Sequence, residues 1–389
     1  MADYIFKHEL KDQALTLYFK GEINFQTSQQ VENEAMSILK QETFKEVILD
    51  FHDVTYVSSA GLRVILKIKQ TFINVSIINA SLNVYDVLQM TGFTNIMDIK
   101  KTLKEIDIEG SPIIGEGYFS IVYRIDKDTI VKVYKEDTDI KEVERELNMA
   151  KQAFILGIPT AISFDVVKVK DKLGVRFEML NSSLLRDLYL NHPENFDEYN
   201  KKYAELLKKI NTTETNDETL PHTLDLWLEK VRRLKDYLDD KDYQKIYKMV
   251  ENIGDRSTFV HGDCHVKNIM VQDNELFLID MDTLSKGHPI FELASIVAPY
   301  SLFEEDEKGN NQQFFKLDNK TCERIYNDTL NEYFQEDNLA YKEKIRLLGY
   351  LHMMWWTLSY QKENTLRFNN CKMRFLKLLE KYDDFNINL

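Results

Sequence analysis

One stretch limits what this chain can fold into more than any other. It is His261-Gly262-Asp263-Cys264-His265-Val266-Lys267-Asn268, followed after a gap by Leu278-Ile279-Asp280-Met281-Asp282. Between the two lie apolar runs, Ile269-Met270-Val271 and Leu276-Phe277-Leu278-Ile279, separated by the polar Gln272-Asp273-Asn274-Glu275. Two short apolar runs around a polar turn predict a β-hairpin. An acid and an amide then stand at one end of a rigid unit, and a second acid follows its other strand. An aspartate can accept the hydrogen of a hydroxyl, while an asparagine and a second aspartate hold the magnesium that neutralises nucleotide phosphates. Magnesium favours oxygen ligands, usually one or two carboxylates with phosphates and water. An ordinary polar loop beside a buried hairpin has no reason to space three such groups this way.

His-Gly-Asp-x-His-x-x-Asn with a downstream Ile-Asp-x-Asp resembles the catalytic loop and metal-binding segment of the aminoglycoside phosphotransferase and choline kinase superfamily. Those are protein-kinase-like enzymes that mostly phosphorylate small-molecule hydroxyls. The resemblance implies that Asp263 is the catalytic base and that Asn268 and Asp280 are the metal ligands. It implies that His261 shapes the loop and that Asp282 is a supporting carboxylate. Glu292 stands where related enzymes often carry an aspartate that braces the loop.

Such an enzyme needs a nucleotide clamp upstream, and Ile114-Gly115-Glu116-Gly117-Tyr118-Phe119-Ser120 is the candidate. Glycine lets backbone amides approach phosphate, although it equally marks a tight hairpin. Strands are expected at Ser120 to Ile125 and Thr129 to Tyr134, around a turn at Asp126-Lys127-Asp128. Lys132 falls mid-way along the second strand, among apolar neighbours. An edge-strand lysine discourages aggregation; the functional alternative is a phosphate-pairing lysine with a glutamate partner on a helix. A helix at residues 138 to 156 offers Glu142, Glu144 and Glu146, most of which coat a solvated face. The resemblance selects Glu146, about a dozen residues before Gly157-Ile158-Pro159. It also puts the inter-lobe hinge at Phe177-Glu178-Met179-Leu180, whose backbone would meet adenine. The expected nucleotide site is thus Gly115, Gly117, Ser120, Lys132 and Glu146, with Glu178 and Leu180 at the hinge. Residues 108–389 would form an α+β bilobal protein-kinase-like fold, with a small lobe at about 108–178 and a helical lobe at about 181–389.

The first hundred residues follow another pattern. Strands are expected near 3–8, 13–20, 46–51 and 75–79, and helices at 27–40, 60–71 and near 84–90. This alternation predicts a compact α/β domain, a small mixed sheet covered by helices. Val47 to Leu62, ending Val57-Ser58-Ser59-Ala60-Gly61-Leu62, resembles the central motif of STAS domains, the anti-sigma factor antagonist family. Its members are non-catalytic partner-switching modules, many with a phosphorylatable serine at the start of this helix. The resemblance covers residues 1–102 and makes Ser59 the possible phosphoacceptor and the domain a possible protein-binding surface. Both serines equally suit helix capping. A phosphate there would meet free amides at the positive helix end and change the surface by about two charges.

At 389 residues two domains are expected, and with 43% apolar residues both can bury cores. A net charge of −14 argues against a nucleic-acid partner and against docking to anionic lipid. No apolar run approaches the roughly 20 residues that span a bilayer, and no signal pattern follows Met1. Cys264, Cys322 and Cys371 are far apart and read as reduced thiols of a cytoplasmic protein. Cys264 lies in the catalytic loop, where alkylation would inhibit. In the C-terminal helices Tyr350, His352, Trp355, Trp356 and Tyr360 form an aromatic stripe, either core or a wall of an acceptor pocket. The expected activity is ATP- and magnesium-dependent transfer to a small-molecule hydroxyl. The alternatives are a signalling kinase acting on a STAS serine, or a nucleotide-binding scaffold without turnover.

Overall fold

Asp12 and Gln13 both adopt positive φ (49° and 71°), the two-residue turn whose twist suits a right-handed hairpin. They join β1 (Lys7–Lys11) to β2 (Ala14–Ile23) in the computed structural model, which describes residues 7–41, 43–117, 119–135, 138–335 and 339–382. The chain divides into two compact units, Met1–Glu105 and Ile106–Leu389. Residues 3–6 of the first expected strand lie outside the described residues.

In the first unit α1 (Ser28–Gln41), β3 (Glu46–Val57), α2 (Ser59–Thr71), β4 (Val75–Ala80), α3 (Leu82–Met90) and β5 (Asp98–Lys101) follow. The sheet order is β1-β2-β3-β4-β5, antiparallel at the first pair and parallel thereafter. Alternation in β2 sends Leu15, Leu17, Phe19 and Ile23 into the core, where Phe19 meets Phe51 edge-on at 5.3 Å. β3 runs six residues beyond the expected Phe51, because Val54 to Val57 continue the ladder against Gly21 to Ile23. β5 was not foreseen, since Asp-Ile-Lys-Lys has a single apolar residue to alternate.

The second unit opens with β6 (Ile113–Glu116), β7 (Ser120–Arg124), β8 (Thr129–Tyr134), α4 (Ile140–Ile155), β9 (Ser163–Val169) and β10 (Lys172–Glu178). These strands lie in one antiparallel sheet in the order β9-β10-β8-β7-β6. β8 is therefore interior, which excludes the edge-lysine reading of Lys132. Asp139 caps α4 by accepting from the Lys141 amide. The buried stripe of α4 is Val143, Glu146, Leu147, Met149, Ala150 and Ala153; helical period sets Glu146 apart from Glu144, whereas Glu142, one turn earlier on the same side, is exposed.

Next come β11 (Ser183–Leu184), α5 (Leu185–Asn191), α6 (Phe196–Thr212), α7 (Thr223–Arg233) and α8 (Asp240–Glu251). They are followed by β12 (Phe259–Val260), β13 (Ile269–Gln272), β14 (Glu275–Leu278), β15 (Ser285–Lys286) and α9 (Ile290–Val297). The chain ends with α10 (Phe303–Asp306), α11 (Asn310–Phe314), α12 (Asn319–Phe334), α13 (Leu339–Tyr360) and α14 (Thr365–Leu379). β13 and β14 form the expected hairpin, turned by Asp273 and Asn274 at positive φ. α9 is buried along its whole length and anchors the helical core. No helix among the described residues is long and apolar enough to cross a membrane.

Candidate functional site

The catalytic-loop candidate leaves β12 and enters β13, so both ends are pinned by strands. Gly262 sits at φ 84°, where a side chain is strained, and a β-carbon there would stand 3.3 Å from the Thr283 carbonyl oxygen. The His261 imidazole is fully buried, and burial pulls it down to about 4, so it is neutral. Its Nε2 lies 3.3 Å from the Ile279 carbonyl, and its Nδ1 accepts the Asp263 amide at 3.3 Å. A neutral ring that donates at Nε2 and accepts at Nδ1 satisfies both contacts. The Thr283 hydroxyl donates to the His261 carbonyl at 2.6 Å. His261 thus ties the loop to the segment that carries Asp280 and Asp282.

Asn268 donates from Nδ2 to the Asp263 carboxylate (2.9 Å) and to its carbonyl (3.0 Å). That donation leaves Oδ1 as the Asn268 atom able to meet a cation. The Ile279 amide donates to the Asn268 carbonyl at 3.0 Å, which ties the loop to the residue before Asp280. Asp263 keeps 49% of its side chain exposed to the cleft. Surrounding protein first, and the Asp280 charge second, push its carboxyl above the ordinary aspartate range. Water at its open edge moderates that push.

Lys132 is the meeting point of the two halves. Its Nζ stands 2.7 Å from Glu146 and 2.5 Å from Asp280, and the Tyr134 hydroxyl holds the other Glu146 oxygen at 2.5 Å. Burial opposes the ammonium charge, but the Glu146, Asp280 and Asp282 carboxylates hold it above the ordinary lysine value. Lys132 in turn keeps the Asp280 carboxyl low. Asp280 adopts φ 68°, an uncommon conformation for a residue with a side chain. Asp282 is pushed up, by burial and then by the Asp280 charge.

Gly115 and Gly117 flank the hairpin between β6 and β7, and the Gly117 amide donates to the Ser120 carbonyl at 2.9 Å. Ser120 is buried at the start of β7. Tyr118 of this loop lies outside the described residues. At the hinge the Glu178 carboxylate accepts the Ile162 amide at 2.7 Å, and the Met179 amide donates to the Asp128 carbonyl at 2.8 Å. Met179 therefore has its donor engaged, while Glu178 and Leu180 flank it.

Four residues support the loop and Lys132; Glu292 stands where the resemblance expects a brace, and the three tyrosines are additional. Glu292, wholly buried, accepts the backbone amides of His261 and Gly262. Tyr203 donates to the Cys264 carbonyl, Tyr300 accepts the Val266 amide at 3.0 Å, and Tyr134 braces Glu146. Tyr134 was discernible, since it shares a strand face with Lys132 two residues away. Tyr203 and Tyr300 carry no local signal. Cys264 is fully buried and its thiol is raised by burial, so the expected inhibition by alkylation does not fit this loop. The aromatic stripe divides: Tyr350 is core, whereas Trp355 and Tyr360 line a surface cavity.

In the first unit Ser58, not Ser59, caps α2; its hydroxyl accepts from the Ala60 and Gly61 amides at 3.2 and 3.4 Å. Ser59 is the first helical residue and is exposed.

A STAS domain model matches residues 6–106, and the model of the phosphotransferase enzyme family matches residues 111–319. Among solved structures, the streptomycin–ATP ternary complex of APH(2")-IIa is 16% identical, covering 78% of this chain and 97% of its own, with a TM-score of 0.45. ADP-bound aminoglycoside phosphotransferase APH(2'')-Ib is 15% identical over 76% of this chain and 96% of its own, with a TM-score of 0.46. A choline/ethanolamine kinase family protein from Mesorhizobium loti is 12% identical over 69% and 91%, with a TM-score of 0.45. No curated protein matches. The family match spans more than half of the chain, which therefore belongs to the phosphotransferase enzyme family and carries a STAS domain before it.

Proposed function

We propose that the second unit of this phosphotransferase-family chain moves the γ-phosphoryl group of ATP to the hydroxyl of a small molecule. The observation that carries the reading is Lys132, held by Glu146 on one side and by Asp280 on the other. A cation bridging the small sheet and the Asp280 segment suits the place where nucleotide phosphates lie between them.

Magnesium fits the donor set. Asn268 Oδ1 and the Asp280 carboxylate are hard oxygen donors, and the crowded carboxylates of Asp263, Asp280 and Asp282 need more positive charge than Lys132 supplies. Bound there with ATP, the metal would neutralise phosphate charge as the bond to phosphorus changes hands. The chain's own groups do the rest. The Gly115–Gly117 turn lets the backbone approach the phosphates closely, and Lys132 pairs with them in place of its contact to Asp280. Glu178 and Leu180 offer backbone groups to the base. Asp263 accepts the acceptor's hydroxyl proton as that oxygen bonds to the γ-phosphorus. The bond to the bridging oxygen breaks in the same event, and its electron pair leaves with ADP. Asn268 holds Asp263 in position throughout.

Transfer from labelled ATP, with protein and small-molecule products separated, tests the reading. Label must pass to a small molecule with wild type and fall with Asp263→Asn; equal transfer by both proteins would refute the assignment.

One observation favours a second reading. Because Ser58 does the capping, Ser59 presents an exposed hydroxyl at a helix start. A signalling kinase acting on that serine, in this chain or a partner's, would label the protein and lose the label with Ser59→Ala.

A further inference from the structure

A cavity of about 440 Å³ opens between the C-terminal ends of α7 and α13. Arg233, Tyr237, Trp355, Ser359, Tyr360 and Lys362 line it, and no acid does among the described residues. Two features connect it to the proposed site of transfer. The ring of Phe119, at the glycine loop, meets that of Tyr360 at 6.0 Å. At its other end α7 is fastened beside the Asp280–Asp282 segment, where Thr223 and Ser285 share a hydrogen bond of 2.8 Å.

The charged side chains of this lining, Arg233 and Lys362, are both cationic, against the −14 of the whole chain. Arg232 and Arg233 approach the single Glu229 carboxylate at 3.2 and 3.6 Å, so one acid serves two guanidiniums. No ion pair engages Lys362 among the described residues. Glu307 and Glu363 stand in the adjoining hollow, and Arg367 holds Glu307. One turn before Arg233, the Lys230 ammonium lies 4.4 Å from the Trp227 ring centre and 4.6 Å from that of Trp355, with His352 Nδ1 at 3.0 Å. Two indole faces are what a quaternary ammonium or polyamine would seek. Here the protein's own lysine fills that space, without a carboxylate partner among the described residues. Burial pulls its ammonium down to about 7, so a nearby anion would restore the charge it loses.

We infer that this cavity receives the acceptor, and that the acceptor is an alcohol carrying an anionic group, a carboxylate or a phosphate, rather than a cation. The inference rests on the phosphotransfer reading. Arg233 and Lys362 bind the anion while Tyr237, Trp355 and Tyr360 cover the carbon skeleton. A polycation such as kanamycin would face the like charges of Arg233 and Lys362, and choline would find its indole faces taken.

The full-length protein is titrated with D-glycerate, sn-glycerol 3-phosphate, glycerol, choline and kanamycin. Binding is followed by tryptophan fluorescence, and transfer from labelled ATP is measured alongside. One of the two anionic probes should bind saturably and accept label, with the phosphate or carboxylate form identifying the source of the charge. Its KM should rise about tenfold in Arg233→Ala and again in Lys362→Ala, about 1.4 kcal/mol each, with the KM for ATP unmoved. Preferred transfer to kanamycin or choline would overturn the inference. So would the absence of saturable binding of either anion below about 10 mM, an order above the usual substrate range. Anion binding that responds to both substitutions, in a protein that transfers nothing from ATP, would sustain the anion site and refute the phosphotransfer reading instead.

Discussion

Removing the Glu292 carboxylate tests how the catalytic loop is held. Glu292 has no exposed surface, and both of its oxygens face the loop, accepting the amides of His261 and Gly262. Burial pushes its carboxyl up to about 7, so acid and carboxylate coexist at neutral pH, and either form has a carbonyl-type oxygen to accept with. Glu292→Ala leaves two buried amides without a partner, at about 1–3 kcal/mol each. Water entering the vacated space recovers part of that, so a net loss of about 3 kcal/mol is expected. For a unit of this size each kcal/mol lowers Tm by about 2–4 °C, giving a fall of about 6–12 °C. Glu292→Gln keeps one acceptor oxygen but turns an amide against a backbone N–H, and should lose about 1–3 kcal/mol. A loop displaced by about 1 Å also costs about 10²-fold in turnover. All three tryptophans (Trp227, Trp355 and Trp356) belong to the second unit, so their fluorescence reports its unfolding without the first. Both variants lying within about 0.5 kcal/mol of wild type would refute the claim that Glu292 holds the loop.

Asp263→Asn should lower kcat by about 10²-fold or more while ATP binding persists, as for loss of a positioned base; wild-type turnover would remove the role. Asp280→Ala, or chelation of magnesium, should nearly abolish transfer, and a magnesium-independent rate would sink the metal assignment. Lys230→Met should raise the thermal midpoint, most of all below pH 7. Burial lowers the folded-state value from 10.5 to about 7, so the unfolded chain binds more protons between those limits and wild-type stability rises with pH across them. The advantage of methionine should therefore fade from about pH 7 to about pH 10.5. An advantage constant across that window would mean that Lys230 is not desolvated.

Much of the site was discernible along the chain because its groups are bound to local geometry. The hairpin places Asn268 and Asp280 through strand period and a two-residue turn, and neither depends on distant residues. Helical period sets Glu146 apart from Glu144, and the resemblance chose it over Glu142 one turn earlier. Ser58 and Ser59 were both legible as helix-start residues; backbone geometry decided that Ser58 does the capping. By contrast, Tyr203 and Tyr300 hold the loop from helices that pass it only after folding, and nothing in their flanking residues marks them; Glu292 was marked by resemblance alone, and only the fold shows its two amide contacts. The length of β3 depended on its partner strand, since a ladder continues only where β2 lies alongside. The largest difference concerns charge. Composition yields −14 for the chain, yet the lining of the α7–α13 cavity is cationic, because packing brings Arg233 and Lys362 to one wall that no acid shares among the described residues. Local covalent spacing determines which groups a strand or helix end presents; only tertiary packing decides which charges share one low-dielectric space, and that decision bears on what the protein can bind.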